Sequence, residues 1–139
     1  MAENSLYETM GLTRIVEMSA EKGAVLEYQA TLEQCHSGGV VQGGFVTGWI
    51  DAAMAHAAIA IAGEGVVPMT LELKVSFLAS ARPGPVFAEG WALRHGRRTG
   101  FYEGALKDKD GNLLAKATST LLMMERSKVE AAARAATSA

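Results

Sequence analysis

Apolar and polar positions alternate along this chain in two different rhythms, and the change of rhythm sets out its elements. Residues 13–20 and 24–32 read as two strands around the turn Glu21-Lys22-Gly23. A glycine-containing loop follows over 33–42. From about 44 to 62 the chain (GFVTGWIDAAMAHAAIAIA) is apolar on every side, and it stops at Gly63-Glu-Gly65, which predicts one buried helix with a glycine end. Residues 66–80 then show the clearest period of two. Leu71, Leu73, Val75 and Phe77 fall on one face, with Thr70, Glu72, Lys74 and Ser76 on the other. Arg82-Pro-Gly-Pro85 breaks that strand. Further strands are expected at 86–95, 99–107 and 113–124, joined through His95-Gly-Arg-Arg98 and the tight turn Asp108-Lys-Asp-Gly-Asn112. One substantial helix must therefore cover about six strands. The expected class is α+β, with a sheet curled around the helix, because no further crossover helices exist to make a doubly wound fold.

The ends carry the weakest patterns. Residues 1–11 read as a tail with at most one helical turn. The alanine-rich stretch 125–139 reads as a short solvated helix or a frayed end. The domain proper is expected over 12–124.

Composition narrows the function. At 139 residues and 49% hydrophobic, the chain can bury a proper core as a single domain. A net charge of −2 with both signs mixed argues against nucleic acid as a partner. One cysteine, Cys35, excludes an internal disulfide and fits a reducing cytoplasm. Three histidines and that cysteine, at 36, 56, 95 and 35, lack zinc-site spacing, so no metal is expected. The opening MAENSLYETMGL is acidic and has no apolar core of a secretory signal. Residues 45–62 are long enough to span a bilayer, but Asp51 near their middle would cost about 2.5–3.5 kcal/mol there, which favours a helix buried in protein over one in a membrane.

The candidate chemistry lies at that helix. Gly43 and Gly44 stand at its mouth, where free N–H groups attract a developing negative charge. Asp51 lies two turns further in, a carboxylate in an apolar stretch, which is costly without a partner or a task. Together they suggest acyl transfer. Eight residues of helix span about 12 Å at a rise of roughly 1.5 Å per residue, so Gly43 and Asp51 of one chain should not both touch one carbonyl. Two chains related by a two-fold axis could place one helix mouth opposite the other's carboxylate. The dipole acts only at the first turn, so polar company from Thr70, Gln42 or His36 is expected beside Asp51. The plainer readings are a buried capping Asp51, glycines that only permit close packing, and a strand threonine at 70. His56, five residues beyond Asp51, reads as a satisfied core histidine. Cys35 has no evident partner for nucleophilic chemistry.

At these residues the chain resembles the hotdog-fold acyl-CoA thioesterases, most closely the branch with the phenylacetate-pathway and 4-hydroxybenzoyl-CoA enzymes. The likeness rests on Gly43-Gly44 with Asp51 eight residues after the first glycine. It continues through TLELKVSFLASARPG (70–84), HGRRTGF (95–101) and KDKDGNLLAKATST (107–120). It covers residues 12–124 and implies a long central helix wrapped by a curved, mainly antiparallel sheet of five to six strands. It further implies that Asp51 is the catalytic carboxylate, as general base or nucleophile, and that the Gly43 N–H polarises the thioester carbonyl. His36 falls where relatives carry an amide, and Gln42 where this branch often has histidine. Thr70 aligns with a hydroxyl that assists from the neighbouring subunit. Gly44, Arg82, Gly96, Arg97 and Arg98 are the candidate contacts to substrate or coenzyme A. The implied activity is hydrolysis of an acyl- or aryl-CoA without cofactor or metal, by a homo-oligomer whose dimer is the catalytic unit; a tetramer is the expected assembly, and the sequence leaves dimer against tetramer open. The rivals are a non-catalytic acyl-CoA sensor and an enoyl-thioester hydratase or dehydratase on the same fold.

Overall fold

The computed structural model describes residues 2–137. In chain order these form helix α1 (Ala2–Met10), strands β1 (Leu12–Ser19) and β2 (Gly23–Ala30), two-residue strands β3 (Cys35–His36) and β4 (Val40–Val41), and helix α2 (Gly43–Ala62). Strands β5 (Val66–Phe77), β6 (Gly84–His95), β7 (Thr99–Asp108) and β8 (Leu113–Glu125) follow, and then helix α3 (Arg126–Thr137). The six long strands make one antiparallel sheet in the order β1-β2-β6-β7-β8-β5. The expected α+β architecture, one long helix against a six-stranded sheet, is the one observed.

The sheet can hold α2 because β6 and β7 leave room for it. Gly90 and Gly104 are paired in register at the sheet's centre. A Cβ on Gly90 would lie 2.5 Å from the Ala53 carbonyl carbon, and one on Gly104 would lie 2.6 Å from Ile50 Cγ2. Helix backbone therefore rests almost directly on strand backbone. Around this contact Trp49, Ile50, Met54 and Ala57 are fully buried, and Trp49 stacks on Tyr28 with ring centroids 5.6 Å apart. The helix has the length and hydropathy of a membrane span, but these residues use that hydropathy to pack on the sheet.

Three features depart from the sequence reading. Residues 2–10 form a helix instead of a tail with one turn. It docks because the Trp49 indole N–H donates to the Met10 carbonyl at 2.8 Å and Tyr7 reaches His56. Residues 35–41, expected as loop alone, close a short ladder with Cys35 opposite Val41 and His36 opposite Val40. The third departure is in β5, which ends at Phe77 and carries a bulge between Thr70 and Glu72, where Thr70 pairs with Leu121 and Glu72 with Thr120. A bulge inserts one unpaired residue and reverses the in–out parity beyond it. Thr70 therefore points to the helix side along with Leu73 and Val75, not to the polar face of Glu72, Lys74 and Ser76.

Candidate active site

The mouth of α2 is built by Gln42 and the two glycines. Gln42 is the N-cap in extended conformation (φ −64°, ψ 137°), and its Oε1 accepts the Gly44 N–H at 2.8 Å. Its backbone N–H donates to the Gln34 carbonyl at 2.9 Å. Both groups serve the cap, and this is the role the structure gives Gln42. The Gly44 N–H is thereby occupied. The Gly43 N–H, first of the helix, has no acceptor among the described residues.

Gly43 opens onto a cavity of about 390 Å³ that is also lined by His36, Val41, Val46, Phe77, Ser80 and Leu114. His36 is exposed at the end of β3 and is brought to the same cavity as Gly43. The loop that presents it turns at Gly38 (φ +75°) and Gly39 (φ +71°), and Arg82 Nη1 donates to the Gly38 carbonyl at 2.9 Å. Arg82 thus fastens this loop with one of its N–H groups and is not among the residues that line the cavity. Phe77 is the functional candidate the sequence reading missed. Its alternation with Leu71, Leu73 and Val75 marked it only as part of one strand face, but its ring covers Gly43 and the residue is 56% exposed. The only sequence signal is its place at the strand end, just before the 78–84 break.

Asp51 does not reach this cavity. It stands eight residues along a continuous helix, about 12 Å from Gly43 by helical rise. The sequence reading buried it in apolar surroundings, whereas the structure leaves it half-buried, on the flank of α2 that faces the edge strand β5. Its partner is Thr70, whose hydroxyl donates to Asp51 Oδ1 at 2.7 Å within the same chain. Of the polar groups expected beside Asp51, Thr70 is the one that the same chain supplies, so the hydroxyl and the carboxylate travel together. The site residues of one chain therefore fall into two groups, Gly43 with His36 at the helix mouth and Asp51 with Thr70 on its flank.

The turn with Gly96, Arg97 and Arg98 joins the second group's end of the sheet, since Thr70 pairs with Leu121 and Leu121 with Gly100. It is tied down by Gly96 N–H to the Thr99 carbonyl (2.9 Å), Met123 N–H to the Arg98 carbonyl (2.7 Å), and His95 Nδ1 against the Tyr102 hydroxyl (2.6 Å). Burial pushes the Tyr102 hydroxyl up to about 12, so it stays protonated in that contact. Both arginine side chains are exposed, and among the described residues neither is in an ion pair. Arg82, beyond the far end of β5, does not converge with them in one chain.

His56 is buried away from the cavity. Its Nδ1 lies 2.7 Å from the Ala52 carbonyl, which can only accept, so the proton sits there and Nε2 accepts from Tyr7 at 3.3 Å. Cys35 Sγ is 3.4 Å from the Thr31 carbonyl. Among the described residues no group of three or more His, Cys, Asp and Glu side chains is placed to hold a metal ion.

Comparison with known proteins gives the family. The family model described as "Thioesterase superfamily" matches residues 38–115. A candidate esterase of Saccharolobus solfataricus is 36% identical over 115 residues, covering 82% of this chain and 81% of that protein. Among solved structures, a candidate thioesterase of Ralstonia eutropha JMP134, related to phenylacetic acid degradation, is 31% identical. It superposes with a TM-score of 0.78 over 85% of this chain and 89% of its own. A hypothetical thioesterase of Streptococcus pneumoniae TIGR4, solved with coenzyme A, shares the fold at 18% identity, with a TM-score of 0.73 over 81% of this chain and 85% of its own. With more than half of its length matched and its architecture of one long central helix on a six-stranded sheet shared, the chain belongs to the hotdog-fold thioesterase superfamily.

Proposed function

We propose that this thioester hydrolase acts on an acyl- or aryl-CoA and releases the free acid and coenzyme A, with each active site assembled from two chains. The observation that carries the reading is the division of the site: an unpaired Gly43 N–H beside a cavity at one end of a rigid helical span, and a Thr70-bonded Asp51 eight residues away. The Gly43 N–H holds the thioester carbonyl oxygen as negative charge develops on it. The partner's Asp51 approaches the carbonyl carbon, either taking a proton from an attacking water or attacking directly. With water as nucleophile, a carbon–oxygen bond forms, the carbon–sulfur bond breaks, and the proton that Asp51 took from the water passes to the sulfur, which leaves as thiol. With direct attack, the sulfur leaves as thiolate and takes a proton from solvent, and a water then cleaves the acyl–Asp51 anhydride to release the acid and restore the carboxylate. Thr70 fixes the carboxylate oxygen that does not react, and His36 faces the carbonyl region from the Gly43 side.

The dimer would form along β5. That strand is at the sheet edge, and Met69 (44% exposed), Leu71 (60%) and Leu78 (58%) present apolar side chains there. Arg97 and Arg98, on the same end as Thr70, are placed for the phosphates of coenzyme A. The coenzyme A held by the S. pneumoniae fold relative supports that ligand class.

The test uses two inactive variants. Asp51→Asn and Gly43→Pro should each lose hydrolysis in a thiol-release assay across aromatic, medium-chain and long-chain acyl-CoAs. Mixed and refolded together, they should regain part of the wild-type rate, because a heterodimer holds one site with an intact Gly43 and an intact partner carboxylate. No recovery from mixed dimers shown to have formed would place both groups in a one-chain site. Full activity of Asp51→Asn would remove the reading altogether.

A further inference from the structure

The cavity at the mouth of α2 carries information about the acyl group, which the division of the site does not. Its lining includes no Asp, Glu, Lys or Arg. Val41, Val46, Phe77 and Leu114 supply apolar wall, and the polar side chains are His36 and Ser80. The pantetheine arm of coenzyme A has amides and a hydroxyl that need hydrogen-bond partners when they leave water. These walls offer few, whereas an apolar acyl chain or ring needs none. At about 390 Å³ the cavity is in the range of sites that enclose a small organic group.

Phe77 holds a particular position in it. A Cβ built on Gly43 would lie 3.1 Å from Phe77 Cζ and 3.3 Å from Cε1, so the ring sits against the glycine whose N–H is unpaired. The backbone just beyond it is fixed, since both Leu78 and Ala79 N–H donate to the Leu114 carbonyl at 2.9 and 3.0 Å. An aromatic ring 56% exposed, on a segment anchored this way, contributes less to the core than to the cavity it borders.

Resting on the hydrolase reading above, we infer that Phe77 is a specificity-determining residue, and that the acyl groups admitted are uncharged and apolar. A thioester whose carbonyl oxygen is at the Gly43 N–H must lay its first acyl carbons along the Phe77 ring. An aryl group can pack there offset or edge-on. An acyl group ending in a carboxylate would bring its charge against apolar walls to which this chain supplies no Lys or Arg side chain. Phe77 touches the substrate without taking part in bond making, so it ranks substrates and does not supply the reaction.

Binding and turnover together test this. Non-hydrolysable S-alkyl thioether analogues of coenzyme A, one ending in phenyl and one in carboxylate, are titrated by calorimetry into wild type, Phe77→Ala and Phe77→Leu. Wild type should bind the phenyl analogue at least about tenfold more tightly than the carboxylate analogue, the scale on which an apolar pocket separates ligands. Phe77→Ala should reduce that ratio about tenfold, and Phe77→Leu, which keeps an apolar wall without a flat ring, should fall between. In turnover the variants should reorder kcat/KM among aryl, short and long acyl-CoAs, with thermal melts confirming that both are folded. Equal wild-type affinity for the two analogues, or a Phe77→Ala loss that is uniform across substrates, would overturn the inference and leave hydrolysis standing. Failure of wild type to bind either analogue or to release thiol from any acyl-CoA would remove both.

Discussion

At the scale of single residues the proposed reading turns on the hydrogen of Gly43. Proline is the natural probe because it removes that hydrogen and is otherwise suited to the first position of a helix. The residue before a proline must be extended, and Gln42 already is, at φ −64° and ψ 137°. A Cβ at this position meets only the tip of the exposed Phe77 side chain. Gly43→Pro should therefore remain folded, with a circular dichroism spectrum like wild type, while kcat falls about 10²- to 10³-fold, the cost of losing one oxyanion donor. A rate that stays within a few-fold of wild type would show that the carbonyl is polarised elsewhere. Asp51 and Gly43 could be picked out of the sequence because each breaks a rule of its surroundings, a charge among alanines and a glycine pair at a helix mouth. Phe77 could not, because an aromatic residue in an alternating strand conforms to every rule there.

At the scale of elements, the turn between β7 and β8 makes a pH prediction. The Asp108 carboxylate accepts the Asn112 side-chain N–H at 3.0 Å and the backbone N–H groups of Asn112 and Asp110, both at 2.9 Å. These bonds, the Asn112 side chain first, hold Asp108 below the usual carboxylate value. A lowered folded-state value contributes stability that is complete above the unfolded value of about 3.9 and is lost as pH falls through the folded one. Asp108→Asn should thus be less stable than wild type at pH 7, and the gap should narrow below about pH 4 in denaturant melts. A gap of constant width would show that the carboxylate's charge plays no part in the turn. That turn was readable from Asp-Gly-Asn, as were both ends of α2 from their glycines and the long strands from their alternation. The bulge at Leu71 was not. Thr70 is polar and Leu71 apolar, so a strand running straight through them fits the pattern equally well, and only the ladder with β8 reveals the extra residue. Helix α1 was hidden for a different reason: it docks through Tyr7 and the Met10 carbonyl, long-range contacts with no local periodicity.

At the scale of the molecule, an edge strand with exposed Met69 and Leu71 is a surface that water does not favour and a second chain could cover. Leu71→Glu should shift sedimentation toward monomer and reduce hydrolysis severely, although it alters neither Gly43 nor Asp51. A monomeric variant with full activity would contradict the two-chain site. A different consequence follows from the seat of α2 on Gly90 and Gly104. The helical turn from Ile50 to Met54, which carries Asp51, is seated by the Ala53 main chain against Gly90 and by the Ile50 and Met54 side chains against Gly104. The residues that line the cavity at the helix mouth lie elsewhere, toward the mouth and the strand ends. On the proposed reading, the carboxylate and the acyl walls are held by different parts of the frame, and descendants of such a protein are free to exchange one diet of thioesters for another while Asp51 keeps its place.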